Sequence, residues 1–172
     1  KDRKIKMKYD IIKVEKNQEP EPYFSEYTNN DFTIYIGQRD VFIPKGNYEY
    51  MIQYRVPNQI GFFDDYDEIY WNAIGTDVSF PVEKSSCEVV LPLGASIIQQ
   101  TAYVGRYGSN EQTANSNFES GKGLYSPGRS LKPGEAFTVA IGFQKDLVDQ
   151  PSYFERHGTL LVILLGLLLL LP

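Results

Sequence analysis

Apolar and polar residues alternate along most of this chain with a period of two, the signature of half-buried strands. The clearest case opens the stretch from Asn47 to Gly75. Tyr48, Tyr50, Ile52, Tyr54 and Val56 share one parity; Glu49, Met51, Gln53 and Arg55 share the other. Pro57-Asn58 breaks that strand, and FFDDYDEIYWN follows with the only tryptophan. A core built on this stretch is expected to include Tyr50, Tyr54, Phe62, Tyr70 and Trp71. Near the start, Ile5, Met7, Tyr9 and Ile11 alternate with Lys4, Lys6, Lys8 and Asp10, which predicts a strand with one apolar and one basic face. Lysines on an exposed strand face block edge-to-edge pairing; the alternative is a patch that meets anionic headgroups or teichoic-type polymers.

The same rhythm continues through Phe32, Ile34 and Ile36, through Cys87, Val89 and Leu91, and through Ile97, Gln99, Thr101 and Tyr103. Between Ala136 and Phe143, large apolar residues (Phe137, Val139, Ile141, Phe143) alternate with small ones (Ala136, Thr138, Ala140, Gly142). A strand of that kind is expected to be buried on both faces. Turn residues punctuate the strands at 17–22, 28–31, 44–47 and 131–135. The Gly-, Ser- and Asn-rich stretch 105–129 predicts one or two short hairpins. No apolar helical period occurs before Gly158. Short strands at this spacing predict an all-β fold, an antiparallel β-sandwich of immunoglobulin-like character, over residues 1–148.

The end of the chain differs. A polar linker over 149–159 leads into an uncharged run from Leu160 to Leu171, closed by Pro172. As a helix that run would span about 18 Å, against about 30 Å for a bilayer core. It is nearly pure leucine and has no polar face, so it does not suit the surface of a small β domain. The expectation is the start of a transmembrane helix over 160–172 that continues past Pro172. A removable C-terminal anchor signal, with a cleavage site near Ser152, is the other reading.

Composition narrows the function. The net charge of −5 argues against a nucleic-acid partner. The 13 tyrosines and 10 phenylalanines favour strands. With one cysteine, Cys87, no intrachain disulfide can form, and its strand context makes it a buried, inert thiol. One histidine, His157, leaves no Ser/His/Asp or Cys/His triad and no multi-histidine metal site.

Asp64, Asp65, Asp67 and Glu68 form a dense acidic group. Hard cations such as Ca²⁺ take several carboxylate oxygens, but the spacing is not that of an EF-hand loop. The competing reading is a turn whose carboxylates cap backbone donors or pair with Arg55 or Lys84. The metal expectation is therefore none, with these four as the candidates should one bind, and no cofactor is expected. Two carboxylates could also serve glycoside hydrolysis. Tyr107 and Tyr125 are candidates for stacking on sugar rings. GKGLYSPG lacks the context and ending of a phosphate-binding loop.

The tyrosine-rich strand Tyr48–Val56, the DEIYWN run at 67–72 and the strand ending VVLPLG at 89–94 resemble the family known as domain of unknown function 2207. LKPGEAFTVAIGFQKDLV, from Leu131, resembles that family's closing strand. The resemblance covers most of residues 5–148. It implies an extracytoplasmic β domain, extracellular or periplasmic, ahead of transmembrane helices, with further strands before Lys1. It carries no catalytic residues. The combined expectation is a membrane-anchored, non-catalytic binding or scaffold module of the cell envelope, with an envelope polymer or protein as partner. The alternatives are a cell-surface glycan hydrolase using Asp64–Glu68 and a Ca²⁺-stabilised structural domain.

Overall fold

The computed structural model describes residues 8–28, 31–109, 111, 115–119 and 121–150. The described residues are strands, turns and loops, and every strand pairing is antiparallel. Two compact units divide after Asn58, where the sequence alone reads as one domain. The Leu160–Pro172 run, His157, most of the 149–159 linker, and Lys4 and Lys6 of the basic strand face lie outside the described residues. Among the described residues no helix is long and apolar enough to cross a membrane, which says nothing of a β-barrel.

The first unit opens with β1 (Asp10–Lys16) and β2 (Glu19–Pro20). Their turn, Asn17-Gln18, has positive φ at both residues (51° and 70°), the geometry whose twist suits a two-residue hairpin. β3 (Tyr23–Tyr27) and β4 (Phe32–Ile36) form a separate hairpin. β5 (Tyr50–Arg55) returns to pair with β1, in the order β2-β1-β5. A bulge between Ile11 and Lys13 shifts the register, so Val14 lies opposite Ile52 and Lys16 opposite Tyr50.

This corrects the expected core. Tyr50 and Tyr54 are 39% and 41% exposed, and of the described apolar side chains in this unit only Val14 is buried. β5 is an edge strand of a three-stranded sheet, and so small a sheet cannot enclose large rings. Ring stacking takes the place of enclosure. Tyr9 stacks on Phe32 at 5.0 Å and lies 5.8 Å from Tyr54, while Tyr27 meets Phe32 at 4.5 Å. Such offset and tilted pairs add stability beyond the area they bury.

The second unit contains β6 (Ile60–Phe62), β7 (Asp67–Ile74), β8 (Cys87–Val90), β9 (Ile97–Gly105), β10 (Asn115–Glu119), β11 (Lys122–Ser126) and β12 (Ala136–Phe143). They build a four-stranded sheet, β6-β7-β12-β9, and a three-stranded sheet, β10-β11-β8. One apolar cluster draws on both. Phe137, Val139, Ile141, Phe143, Ala102 and Val104 come from the first sheet and Tyr125 from the second, joined by Leu91 and Leu131. β12 is the spine of this core, as its alternation predicts. Trp71 packs against the cluster, whereas its neighbour Tyr70 points to the opposite face and is 57% exposed. Tyr70 therefore leaves the expected core.

Tyr125 is another correction. Expected as an exposed sugar platform, it is fully buried, and its hydroxyl donates to Gln100 Oε1 at 2.7 Å. In β11 the aromatic residue turns inward and Leu124 outward, because Tyr125 shares its parity with Gly123 and folds over that glycine. Tyr125→Phe should cost about 1 kcal/mol, the net worth of one hydrogen bond, because Gln100 is exposed and water can replace the lost donor; urea unfolding of the two forms measures it.

Candidate binding groove on the outer face of the four-stranded sheet

Alternation along β12 builds the candidate site. While its large residues enter the core, Ala136, Thr138, Ala140 and Gly142 line the other face. Antiparallel register places Asn72 and Tyr103 on either side of Thr138, and Tyr70 and Thr101 on either side of Ala140. Small residues on the central strand and long ones on both neighbours make a trough. Ala140 and Gly142 are buried by those neighbours: a Cβ on Gly142 would stand 2.7 Å from Gln99 Cγ and 3.0 Å from Tyr66. At one end the trough widens into a cavity of about 580 Å³, closed by the turn Arg106–Ser109.

That turn is held firmly. Ser109 N donates to the Arg106 carbonyl at 2.8 Å, Ser109 Oγ donates to the Val104 carbonyl at 3.2 Å, and Val104 N donates to the Glu111 carbonyl at 3.0 Å. Arg129 bridges Glu111 (3.2 Å) and Glu135 (2.7 Å), tying the turn's far side to the residue before β12. Tyr107 is thereby presented on a braced turn with its side chain 99% exposed. The Arg129 guanidinium and the Lys132 backbone N–H, both bonded to Glu135, hold its carboxyl below the ordinary value of 4.5. A depressed folded-state pKa contributes stability above the unfolded value, and this is lost as pH falls through the folded one. Glu135→Gln should therefore flatten the acid limb of the stability curve below about pH 4.5 and leave it unchanged near neutrality apart from the lost ion pair; unfolding from pH 7 to 3 checks this. The effect is small, because the pair is solvent-facing.

The groove's chemistry is aromatic, polar and cationic. Thr138 Oγ1 donates to Asn72 Oδ1 at 2.6 Å. This fixes the Asn72 amide and leaves both its N–H donors without a partner among the described residues. Tyr70, Tyr103 and Tyr107 bring ring faces and hydroxyls, and Arg106 brings an exposed cation. Among the described residues no carboxylate, cysteine or histidine lines the cavity.

The acidic group takes a different place. Asp64 and Asp65 sit exposed in the β6–β7 turn, closed by Phe63 N donating to the Tyr66 carbonyl at 3.0 Å. Asp67 and Glu68 are consecutive in β7 and face opposite ways. Asp67 is buried and pairs with Lys145 at 3.2 Å, and Lys145 also donates to the Phe63 carbonyl. The cation it meets is therefore Lys145, where Arg55 or Lys84 was expected. Glu68 lies on the groove face, outside the cavity, and accepts from Gln99 at 3.3 Å. The register does not bring the four carboxylates to one point, and among the described residues no three His, Cys, Asp or Glu side chains are grouped as metal ligands. Asp67→Asn should destabilise by about 1 kcal/mol, the difference between a charge-assisted and a neutral hydrogen bond; a double-mutant cycle with Lys145→Met isolates it. Cys87 is half-buried against the core, and burial pushes its thiol above the ordinary value. That raised value makes it a poor nucleophile at neutral pH.

Fold and groove together define an all-β, antiparallel domain with an aromatic groove on one sheet face. The chain belongs to the family described as "Predicted membrane protein (DUF2207) N-terminal domain", which it matches over residues 1–143. It is also 30% identical over 79 residues to a protein of Escherichia coli (strain K12) known as "Uncharacterized protein YciQ". The match covers 46% of this chain and 12% of that protein's length. No solved structure matches the chain.

Sequence reasoning picked out Tyr107 but not Tyr70, Asn72, Tyr103, Arg106 or Thr138 as site residues. The signal that could have found them was the small-residue parity of β12, read earlier only as burial.

Proposed function

We propose that this domain is a non-catalytic binding module of a membrane-anchored envelope protein, and that its groove holds an extended sugar chain bearing acidic groups. The carrying observation is the trough along β12: a floor of small residues, tyrosine rings to stack on sugar faces, the free Asn72 amide to donate to hydroxyls, and Arg106 to meet a carboxylate. Rings and planar donors of this kind suit sugars. Arg106 in a cavity that, among the described residues, no carboxylate lines favours an acidic group at that end of the trough, notably in a chain of net charge −5. Among the described residues the cavity lining holds no pair of carboxylates of the kind glycoside hydrolysis uses, which supports binding over hydrolysis.

In the same reading, the two sheets that share one apolar cluster are the layers of an immunoglobulin-like sandwich. The domain lies outside the cytoplasm, and the Leu160–Leu171 run, too short at about 18 Å to cross a bilayer by itself, is the start of the membrane anchor. Membership of a family described as membrane proteins supports the anchoring.

Calorimetric titration of the chain in detergent with uronic-acid oligomers, and with neutral oligomers of equal length, tests the proposal. The acidic oligomer should bind more tightly. Tyr70→Ala and Arg106→Gln should each weaken binding about tenfold, near 1.4 kcal/mol, and Arg106→Gln should also abolish the preference for acid. Equal or absent binding of both oligomers would contradict it, and cleavage of either would restore the hydrolase.

A further inference from the structure

The loop between β4 and β5 carries a second feature that the groove does not use. Val41, Phe42 and Ile43 follow one another at its tip and are 61%, 95% and 45% exposed. Isolated apolar residues on a surface are ordinary. Three in succession, with the central ring almost wholly in water, are a fault in a soluble protein unless something receives them. Exposed cations flank the tip: Arg39 on one side and Lys45 on the other, with Asp40 as the opposing charge. The Arg39 guanidinium lies 4.6 Å from the centre of the Phe24 ring, which anchors it at the base of the loop. On the other side, the Tyr48 hydroxyl donates to the Pro44 carbonyl at 2.9 Å and braces the return.

We infer that the Val41-Phe42-Ile43 tip dips into a lipid surface, with Phe42 at the boundary between headgroups and acyl chains and Arg39 and Lys45 at the level of the phosphates. An apolar segment edged by cations has the order of polarity that a bilayer interface presents to an entering loop. The tip segment 39–45 carries two cations and one carboxylate, a net positive tip on a chain that is net negative, so its charge suits an anionic surface such as lipid phosphates. The family description as membrane proteins places a bilayer within reach. The consequence is a second point of membrane contact, independent of the leucine-rich run and of the groove.

The test reads the loop itself, because the leucine-rich run can bind vesicles without it. Cys87→Ser frees the chain for labelling, and Phe42→Cys then carries an environment-sensitive fluorophore. A second preparation is labelled at Asp65→Cys, in the exposed β6–β7 turn. Both are reconstituted into phosphatidylcholine vesicles with and without lipids bearing a quencher near the headgroup. The label at position 42 should shift to the blue, be quenched by those lipids and escape aqueous iodide; the label at position 65 should do none of these. In vesicles containing an anionic lipid, Lys45→Gln should lower the ratio of inserted to free loop about fivefold. A position-42 label that matches position 65 would overturn the inference, since the tip then stays in water. Shielding from iodide without quenching by lipid would also overturn it, because protein then covers the tip.

Discussion

Replacing Phe137 by alanine is expected to lower the stability of the second unit by about 3–5 kcal/mol, the usual cost of deleting a large ring from a packed core. Phe137 is fully buried at the start of β12, between Val104 of β9 and Ile74 of β7. The cavity would open in the middle of the sheet, where neighbours hydrogen-bonded on both sides can collapse little. Trp71, packed against the same cluster, reports unfolding through its fluorescence. Leu93→Ala, at a fully exposed position, should leave the transition within about 0.5 kcal/mol of the parent. A loss below 1 kcal/mol for Phe137→Ala would mean that β12 is not the spine of the core.

The second large effect falls on the turn that closes the groove. Gly105 has φ +130°, and a Cβ there would stand 2.5 Å from Ser109 Oγ and 2.8 Å from Ser109 Cβ. Gly105→Ala therefore meets two penalties. Backbone strain costs about 1–3 kcal/mol, and crowding of a packed turn costs about as much again. Relief requires Ser109 to move, which breaks its bond to the Val104 carbonyl and frees the segment bearing Arg106 and Tyr107. Stability and affinity for acidic oligomers should fall together. Ser109→Ala makes the distinction: it removes the hydroxyl's bond without straining Gly105, so it should weaken ligand binding more than it lowers the melting temperature. If Gly105→Ala bound as well as the parent, the turn would not be part of the site.

Much of the second unit was legible because its alternation is regular. The parity of Phe137, Val139, Ile141 and Phe143 gave the core face of β12. The parity of Cys87, Val89 and Leu91 gave the inward side of β8. The Gly- and Asn-rich stretch resolved into the β10–β11 hairpin. What the pattern hid was pairing between strands distant in sequence. Only the register of β7, β12 and β9 makes the small side of β12 a trough, and no local signal shows which strands flank it. Bulges hid more. One between Gly142 and Phe143 brings Ile97 opposite Phe143, although Ile97 reads in step with Gln99, Thr101 and Tyr103. In the first unit the alternation of Tyr50, Ile52 and Tyr54 was read correctly as a strand and wrongly as core, because alternation marks a shared face and not what covers it. The acidic group was misleading in composition alone, since Asp67 and Glu68, adjacent in a strand, face opposite ways.

The trough along β12 is proposed to bind an acidic sugar chain. Nuclear magnetic resonance of the chain in detergent, titrated with a uronic-acid oligomer, tests it most directly. The Asn72 side-chain amide has two donors facing the groove without a partner among the described residues, and selective labelling of asparagine reads their signals. These signals should shift together with the backbone amides of Thr138 and of Arg106 to Ser109, while those of the β6–β7 turn stay still. Shifts centred on Asp64 and Asp65 with the Asn72 amide unmoved would contradict it, and would return the acidic turn to the place the groove now holds.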